Sequence, residues 1–288
     1  MTAMQVEPLS RPAAGTARGA VPELDGLGNG DLGGEGLGNE GLGASSATSV
    51  SKALQILDAF RGTGSALGVS ELSRCVGVPK STTFRLLASL EQGGFVVRTG
   101  TKYKLSRRVF ELGNRVDECL PQGLRDVALP FLSELFVASG RTVHMAVLDG
   151  ADVVYLDKIH GHLAPPVPST IGGRIPANCS ALGKALLAHG TADALRGYLG
   201  GPLARRTPYS ITEPGRLVNQ LRQVRASGQA FDREEVLLGL TCVAVPVMHR
   251  GRPVAAVSIS SPTTGFAPEA YGRLLRKAAS GISLALAG

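Results

Sequence analysis

Long apolar stretches are absent from this sequence, since none approaches the roughly 18–20 residues that cross a membrane. A basic-then-apolar signal pattern is also absent from its start. The four cysteines are far apart and form neither a CxxC pair nor a Cys/His ligand spacing, which argues against a disulfide framework and a zinc site. We therefore expect a soluble, cytoplasmic protein with no metal, no cofactor and no membrane partner. Its 288 residues suffice for one large or two modest domains.

Acidic residues are scarce in one part of the chain, residues 49–115. Eleven lysines and arginines face four acids there, a net charge of +7, whereas residues 1–48 carry −4 and the remaining 173 residues carry +4. Positive charge concentrated in a short segment favours a polyanionic partner such as nucleic acid. The alternative is an ordinary small helical domain with a solvated basic face. RNA is a weaker candidate than DNA, because no cluster of exposed aromatic residues is apparent for base stacking.

Large apolar side chains are few in residues 1–48, and about half of residues 26–43 are glycine. Such a segment cannot offset the conformational entropy lost on ordering. We predict that residues 1–48 form a disordered, glycine-rich tail.

Residues 49–106 have the pattern of a winged helix-turn-helix. Apolar residues recur at helical spacing from Ser49, and Ser70 is a candidate cap for a short helix at residues 71–75. A third helix begins at Pro79 or Lys80 and ends at residues 93–94, with one buried stripe. That stripe consists of Thr83, Leu86, Leu87 and Leu90. Strands at 95–97 and 102–105, joined by a turn at 98–101, complete the pattern, and a linker helix from residue 107 to about 118 follows, within a linker at 107–122.

The third helix of this domain is the second helix of the helix-turn-helix, the one that enters the major groove of DNA. Its first turns therefore carry the candidate DNA-binding residues. With the stripe facing the core, helical geometry turns the other side chains outward. Arg85 suits guanine, Phe84 suits a thymine methyl, and Lys80 suits a phosphate. The full candidate set is Lys80, Ser81, Thr82, Phe84 and Arg85 on the helix, with Arg98 and Lys102 on the hairpin turn.

Residues 123–288 read as an α+β domain built around an antiparallel sheet. The pattern is hairpin, helices, hairpin, helix, with Thr212 as a candidate cap and Gly228 as the end of one helix. The predicted helices are 124–138, 180–189, 193–198, one after Thr212 and one from Pro268, and the predicted strands are 142–148, 153–159, 243–247 and 254–260. Ser258 and Ser260 alternate with apolar residues, so both hydroxyls should point to one face of the sheet.

A series of spaced motifs begins with SVSKALQIL and VPKSTTFRLL and runs in one order to residue 262. The motifs lie at residues 49–57, 78–87, 143–150, 153–157, 173–176, 180–185, 231–235, 242–247 and 257–262. In these motifs the sequence resembles the IclR family of bacterial regulators. The resemblance covers nearly everything after residue 48.

The resemblance implies a winged helix at 49–106, a linker helix and a GAF-like effector-binding domain at 123–288. It also implies homodimers, often paired into homotetramers, on palindromic double-stranded operators, and we expect a repressor. Carried over by position, the effector contacts fall on the backbone of Ala181 and Leu182 and on Asp232, Cys242, Ser258 and Ser260. The sequence departs from the family where Asn178 replaces a frequent His and Cys179 replaces Ala or Thr, both expected beside the effector pocket.

The expected effector is a small anionic or hydroxylated metabolite, because Ala181 and Leu182 open a predicted helix whose free N–H groups suit a carboxylate. An alternative is an enzyme or sensor whose winged helix binds another protein. In it, Cys242 would be a nucleophile and His144 its base, but we interpret both as pocket wall and expect no catalysis.

Several other residues have simpler interpretations. His160 and His162 could hold a metal but fit a solvated loop better, since two ligands do not complete a site. Glu234 and Glu235 are expected at the surface, and Met145 in the core. Cys75 and Cys119 are expected to be buried apolar residues.

Overall fold

The computed structural model describes residues 48–61, 66–119, 122–160 and 169–288. The predicted tail therefore lies outside the described residues, apart from Thr48, and so does His162. Among the described residues, no helix combines the length and the apolar character needed to cross a bilayer.

The first described unit packs three helices against a three-stranded antiparallel sheet. The elements are α1 (Ser49–Ala59), β1 (Leu67–Gly68), α2 (Val69–Val76), α3 (Lys80–Gln92), β2 (Val96–Thr99) and β3 (Lys102–Leu105), with strand order β1-β3-β2. Ile56, Leu72 and Leu87 are fully buried at its centre. Thr83 and Leu86 are buried with them and Leu90 is half-buried, which confirms the predicted stripe on α3.

The beginning of α2 differs from the prediction. The helix starts at Val69, so Ser70 lies within it and is not its cap. Gly68 occupies the cap position because strand β1 ends there, paired with β3. In place of a capping hydroxyl, the carboxylate of Glu71 accepts the N–H of Gly68 at 2.7 Å.

The hairpin turn is shorter than predicted. Only Gly100 and Thr101 separate the strands, and Gly100 has the positive φ (+62°) that such a tight turn requires. Arg98 therefore lies within β2, opposite Tyr103, and Lys102 lies within β3, opposite Thr99. The assignment of Arg98 to the turn was wrong, because two residues suffice to reverse the chain. Lys102 lies next to the turn as the first residue of β3, where the strand at 102–105 was predicted.

The linker helix is also shorter than predicted. Helix α4 covers Arg107–Gly113, and a separate 3-10 turn covers Asp117–Cys119. Glycine is a poor helix former, and the side-chain amide of Asn114 donates to the carbonyl of Phe110 at 2.9 Å, which closes the helix. Nearby, Cys119 is half-buried, and Cys75 on α2 is exposed, so the prediction that both are buried was wrong.

The second half contains a six-stranded sheet, all antiparallel, with helices on both faces. Its strands are β4 (Thr142–Asp149), β5 (Asp152–Ile159), β6 (Arg174–Pro176), β7 (Ala230–Arg233), β8 (Leu240–His249) and β9 (Arg252–Pro262), in the order β6-β5-β4-β9-β8-β7. Its helices are α5 (Leu124–Ser139), α6 (Ala181–His189), α7 (Ala192–Leu199), α8 (Pro214–Ser227) and α9 (Pro268–Ala285). The predicted α+β class and antiparallel sheet are confirmed.

Strand alternation divides the sheet into an apolar face and a polar face. Met145, Val257 and Ile259 join the core beneath α5 and α9, as predicted for Met145. Their neighbours point to the opposite face, where α6 packs. On that face the register places Ser258 beside His144, and Ser260 beside Cys242.

Three local features of this half were not predicted. Strands β6 and β7 are three and four residues long, too short for alternation to reveal. Helix α8 begins at Pro214, whose fixed φ suits the first helical position, so Thr212 is not its cap. The hydroxyl of Thr212 instead accepts a hydrogen bond from Arg205 at 3.1 Å.

Candidate functional sites

The exposed edge of α3 presents the side chains that the sequence assigned to DNA. Lys80, Ser81, Phe84 and Arg85 are exposed, and Thr82 is half-buried. The aromatic ring of Phe84 is notable, because the residue is 51% exposed beside these polar residues. Singly exposed apolar residues are common at protein surfaces. An aromatic ring on a basic helical edge, however, also provides an apolar contact for a base.

The first turn of α3 is also open to an anion. Its N-cap residue is Pro79, which makes no side-chain capping bond. The first N–H groups of a helix have no intrahelical partner, and together with the helix dipole they favour a phosphate. The lysine at the first helical position, Lys80, adds its charge at the same end.

On the hairpin, Arg98 and Lys102 are exposed but already make contacts within their own domain. The guanidinium Nε of Arg98 donates to the carbonyl of Gly100 at 3.0 Å. The pKa of Glu71 lies below its usual range, first because its carboxylate accepts the Gly68 N–H and second because the ammonium of Lys102 is near it. The hairpin therefore displays both cations, with Arg98 fixed against the turn and Lys102 near a carboxylate.

A cavity in the C-terminal half brings together all six residues that were carried over as effector contacts. It lies between the start of α6, the polar face of the sheet and the segment after β7, and it has a volume of about 300 Å³ including its mouth. Its lining consists of Ala181, Leu182, Asp232, Cys242, Ser258 and Ser260, joined by His144, Tyr155, Ser180, Val236 and Leu240. The central space is narrow, with room for about one water molecule.

At one end of the cavity, the start of α6 offers free backbone donors. The hydroxyl of Ser180 caps the helix by accepting the N–H of Gly183 at 2.9 Å. The N–H groups of Ala181 and Leu182 have no hydrogen-bond acceptor within the described part of the chain. Both residues line the cavity, so this end suits a carboxylate or another anion.

The sheet contributes a chain of neutral polar groups. His144 shares hydrogen bonds with Ser169 through Nε2 at 2.8 Å and with Ser260 through Nδ1 at 3.4 Å. Ser260 also shares one with the Sγ atom of Cys242 at 3.1 Å. Burial lowers the pKa of His144 to about 3 and raises the pKa of Cys242 well above its usual value. A thiol that stays protonated is a poor nucleophile, and an imidazole with so low a pKa is a poor base for deprotonating it.

Behind the cavity lies a buried charge cluster that the sequence analysis missed. Glu235 is buried, so its assignment to the surface was wrong. Its carboxylate contacts the ammonium of the fully buried Lys184 at 2.5 Å. The chain turns inward here because Oδ1 of Asp232 accepts the N–H groups of Glu235 at 2.7 Å and of Val236 at 3.3 Å.

Asp232 connects this cluster with the cavity. Its pKa is raised to about 7, chiefly by burial and further by the negative charge of Glu235, while Lys184 opposes the shift. The carboxyl group therefore changes its protonation near neutral pH. A local sequence pattern could not reveal this, because Lys184 lies 51 residues from Glu235.

Asn178 and Cys179, the two residues at which the sequence departs from the family pattern, do not line the cavity. The side chain of Asn178 donates to the carbonyls of Ala204 at 2.8 Å and Ile211 at 2.9 Å, and it accepts a bond from the hydroxyl of Tyr198 at 3.2 Å. The thiol of Cys179 donates to Ala204 at 3.3 Å. Both residues therefore tie down the segment between α7 and α8.

His160 follows β5 and is exposed, whereas the structure does not describe His162. Within the described ranges, no group of three or more His, Cys, Asp or Glu side chains is placed to hold a metal ion.

Comparison with known proteins shows similarity over both halves of the chain. The HTH-type transcriptional regulator XynR of Escherichia coli K12 is 37% identical over 220 residues, 75% of this chain and 86% of XynR. The regulator KdgR of the same organism is 37% identical over 246 residues, 83% of this chain and 92% of KdgR. The crystal structure of an IclR homolog complexed with 4-hydroxybenzoate, from Microbacterium hydrocarbonoxydans, has a TM-score of 0.76 at 28% identity and covers 83% of this chain and 99% of its own.

The family matches fall on the two parts of the chain that carry the candidate sites. Residues 49–100 match the IclR helix-turn-helix domain, and residues 120–284, more than half of the chain, match the domain described as bacterial transcriptional regulator IclR C-terminal. The chain belongs to the IclR family of bacterial transcriptional regulators.

Proposed function

We propose that this protein is a sequence-specific DNA-binding repressor whose operator binding is modulated by a small metabolite bound in the C-terminal cavity. The proposed division is a DNA-binding domain at 49–106, a linker at 107–122 and an effector-binding domain at 123–288. The protein acts in the cytoplasm, where bacterial DNA is located, and Cys242 lines the cavity without a catalytic role. The exposed edge of α3 is the observation that carries the proposal.

DNA recognition divides between base contacts and phosphate contacts. Arg85 and Phe84 reach base edges in the major groove, as a guanidinium pairs with guanine and an aromatic ring contacts a thymine methyl. Ser81 and Thr82 bond bases or phosphates, and Lys80 binds a phosphate at the start of the helix. The hairpin cations Arg98 and Lys102 contact the DNA backbone or the minor groove.

The DNA-binding proposal is tested by fluorescence anisotropy on a duplex from the region upstream of the protein's own gene. We expect specific binding whose affinity falls steeply with salt. The variant Arg85→Ala should lose about 1–3 kcal/mol of binding free energy and relax selectivity at one base pair. A matched control is Arg216→Ala, which removes an exposed arginine from α8 in the C-terminal domain.

Two results would contradict this assignment. One is retention of the upstream duplex no better than random DNA at moderate salt. The other is an equal loss of affinity in Arg85→Ala and Arg216→Ala, because a non-specific charge effect would then explain both.

A homodimer on a palindromic operator is the proposed minimal assembly, with pairing into a tetramer as the next level. Its support is a set of large apolar side chains that are exposed in the single chain, including Leu54 on α1 and Phe110 and Leu112 on α4. Exposed apolar surface of this kind favours association. Light scattering should give at least a dimer mass, and Phe110→Glu should lower that mass; a monomeric wild type would refute the assembly.

The proposed effector is a small carboxylate that also carries a hydroxyl group. The free N–H groups of Ala181 and Leu182 bind the carboxylate, and the hydroxyls of Ser258 and Ser260 with the imidazole of His144 bind the hydroxyl group. The 4-hydroxybenzoate held by the Microbacterium homolog combines the same two groups. Because the cavity is narrow, its walls must separate for such a ligand to enter.

The effector proposal is tested by calorimetry and thermal shift with acetate, lactate and 4-hydroxybenzoate, using the corresponding amides as uncharged controls. Ala181→Pro removes one N–H at the first position of α6, where proline is tolerated and where Ser180 already has the extended backbone that precedes proline. Carboxylate affinity should fall about 10- to 100-fold, the equivalent of a hydrogen bond to a charged group.

The matched control for this variant is Ala192→Pro, at the first position of α7. It makes the same change at a helix start away from the cavity and should bind carboxylates as the wild type does. Stabilisation by large apolar ligands alone, or an equal loss in both proline variants, would contradict the proposed effector chemistry.

A further inference from the structure

We propose that the cavity binds its anionic effector together with one proton, which resides on Asp232. The inference rests on the proposed function in one respect, that the effector is a small carboxylate. It adds a condition on binding. The site accepts a carboxylate only when Asp232 is protonated and donates a hydrogen bond to that carboxylate.

The position of Asp232 carries the first step of the argument. The residue is 1% exposed and lines the cavity. Its Oδ1 atom holds the turn by accepting the N–H groups of Glu235 and Val236, and neither of these bonds uses Oδ2. The other hydrogen-bonding neighbour of this carboxyl is the thiol of Cys242, which also lines the cavity. A proton on Oδ2 therefore lies on the cavity side of Asp232 and leaves the turn undisturbed.

The second step concerns the charges behind the cavity. Lys184 is in direct contact with Glu235, so its positive charge is neutralised by that carboxylate. If Asp232 is ionised, the three buried groups carry a net charge of −1. If Asp232 is protonated, they are neutral. Only the neutral cluster allows a second carboxylate to enter the same low-dielectric space without strong repulsion.

The other groups around Asp232 supply no compensating positive charge. From β4 and β8 come His144, whose burial keeps the imidazole neutral, and Cys242, whose burial keeps the thiol protonated. From β5 comes the phenol of Tyr155, and burial raises its pKa as well. The thiol of Cys179, before α6, is kept protonated in the same way. The positive charge of Arg206, an exposed residue, opposes the rise in the pKa of Tyr155.

The third step is that the proton is available under ordinary conditions. The pKa of Asp232 is raised to about 7, so the unliganded protein is a mixture of both forms near neutral pH. An incoming carboxylate raises this pKa further, because two adjacent carboxylates share one proton. Binding therefore draws a proton from solvent, and the affinity for an anion must fall as the pH rises above 7.

The test uses the full chain and measures the Kd of acetate, lactate and 4-hydroxybenzoate between pH 6 and pH 8. The Kd of a bound carboxylate should rise about tenfold over this range, as one linked proton requires. Calorimetry at pH 8 in HEPES and in Tris, two buffers with different heats of ionisation, should show uptake of close to one proton per ligand. The amide of the same ligand should bind with a Kd that does not change with pH.

Two substitutions locate the proton. Asp232→Asn keeps a donor at the same place but cannot titrate, so its Kd for the carboxylate should not depend on pH. Asp193→Asn, which removes an exposed acid on α7, should retain the full pH dependence.

The outcomes separate this inference from the proposed effector class. Carboxylate binding without pH dependence in the wild type overturns the inference and leaves the effector class intact. An unchanged pH dependence in Asp232→Asn also overturns it, because the proton then resides elsewhere. If none of the carboxylates binds at any pH, the effector class fails, and the inference falls with it.

Discussion

Replacement of Lys184 by methionine should be among the most damaging single substitutions in this protein. The lysine side chain is 0% exposed, and the partner carboxylate of Glu235 is 4% exposed. Methionine keeps most of the side-chain volume and removes the charge, so packing changes little. What remains is a buried carboxylate that has lost its counter-ion.

The magnitude follows from the burial of both groups. Removing one partner of a buried ion pair typically costs about 3–5 kcal/mol, because the other charge stays desolvated and unpaired. Here the penalty is reinforced in two ways. The second carboxylate oxygen of Glu235, Oε2, already has no hydrogen-bond partner among the described residues, and Asp232 is a second acid next to Glu235.

Urea denaturation of the full chain, followed by far-UV circular dichroism at pH 7.5, measures the effect. The matched control is Lys277→Met, which breaks another lysine–glutamate pair at 3.8 Å, with Glu134. Its two side chains are 81% and 70% exposed. Exposed pairs contribute only about 0–1 kcal/mol, so the control should unfold close to the wild-type midpoint.

A double variant separates the lost charge from lost packing. Lys184→Met with Glu235→Leu removes both charges, and buried ion pairs replaced in this way are often neutral or even stabilising. It should recover much of the loss of the single variant. The reasoning is refuted if Lys184→Met unfolds within about 1 kcal/mol of Lys277→Met, or if the double variant is less stable than the single one.

Two glycines give opposite expectations for the same change. In Gly183→Ala the new Cβ would overlap the backbone of Ala177, so the free energy of unfolding should fall despite the gain of about 1 kcal/mol that alanine has over glycine in a helix. At Gly197 in α7 the new Cβ would have no described neighbour within 4 Å, so Gly197→Ala should raise the free energy of unfolding by about 0.5–1 kcal/mol. Equal shifts of the two variants in urea denaturation would contradict the close approach of Gly183 to Ala177. Burial also sets two opposed pH dependences. The pKa of Asp232 is raised to about 7, so this residue contributes stability that is lost as the pH rises from about 4 to 7. The pKa of His144 is lowered to about 3, so this residue contributes stability that is lost as the pH falls from about 6.5 to 3. Asp232→Asn should therefore steepen acid destabilisation and His144→Gln should reduce it, and urea midpoints between pH 4 and 8 that change in the same direction for both variants would refute the assignment.

Elements whose apolar residues recur at regular spacing could be predicted from the sequence. The stripe on α3 repeats at helical spacing, and Thr83, Leu86 and Leu87 are buried as that spacing requires. The alternation of Ser258 and Ser260 with apolar residues placed both hydroxyls on one face, and the register confirms this. In these places the local pattern and the packing give the same answer, so the prediction needed no knowledge of distant residues.

Features decided by distant or competing contacts were not readable. Ser70 and Thr212 are good caps in isolation, but strand pairing at Gly68 and the proline at position 214 determine where the helices begin. Glu235 looks like a surface acid until the fold brings Lys184 to it. Two short edge strands gave no periodic signal at all.

The burial of the polar groups around the cavity explains two properties that otherwise look unrelated. Burial keeps Cys242 protonated and makes His144 a weak base, which deprives the site of a reactive thiolate and of a group able to form one. The same burial raises the pKa of Asp232 to about 7, so part of the protein near neutral pH carries a hydrogen-bond donor there in place of a repelling carboxylate. On the proposal that the cavity binds an anionic effector, the burial that makes it poor at activating a nucleophile also favours reversible binding, which is what a regulator requires.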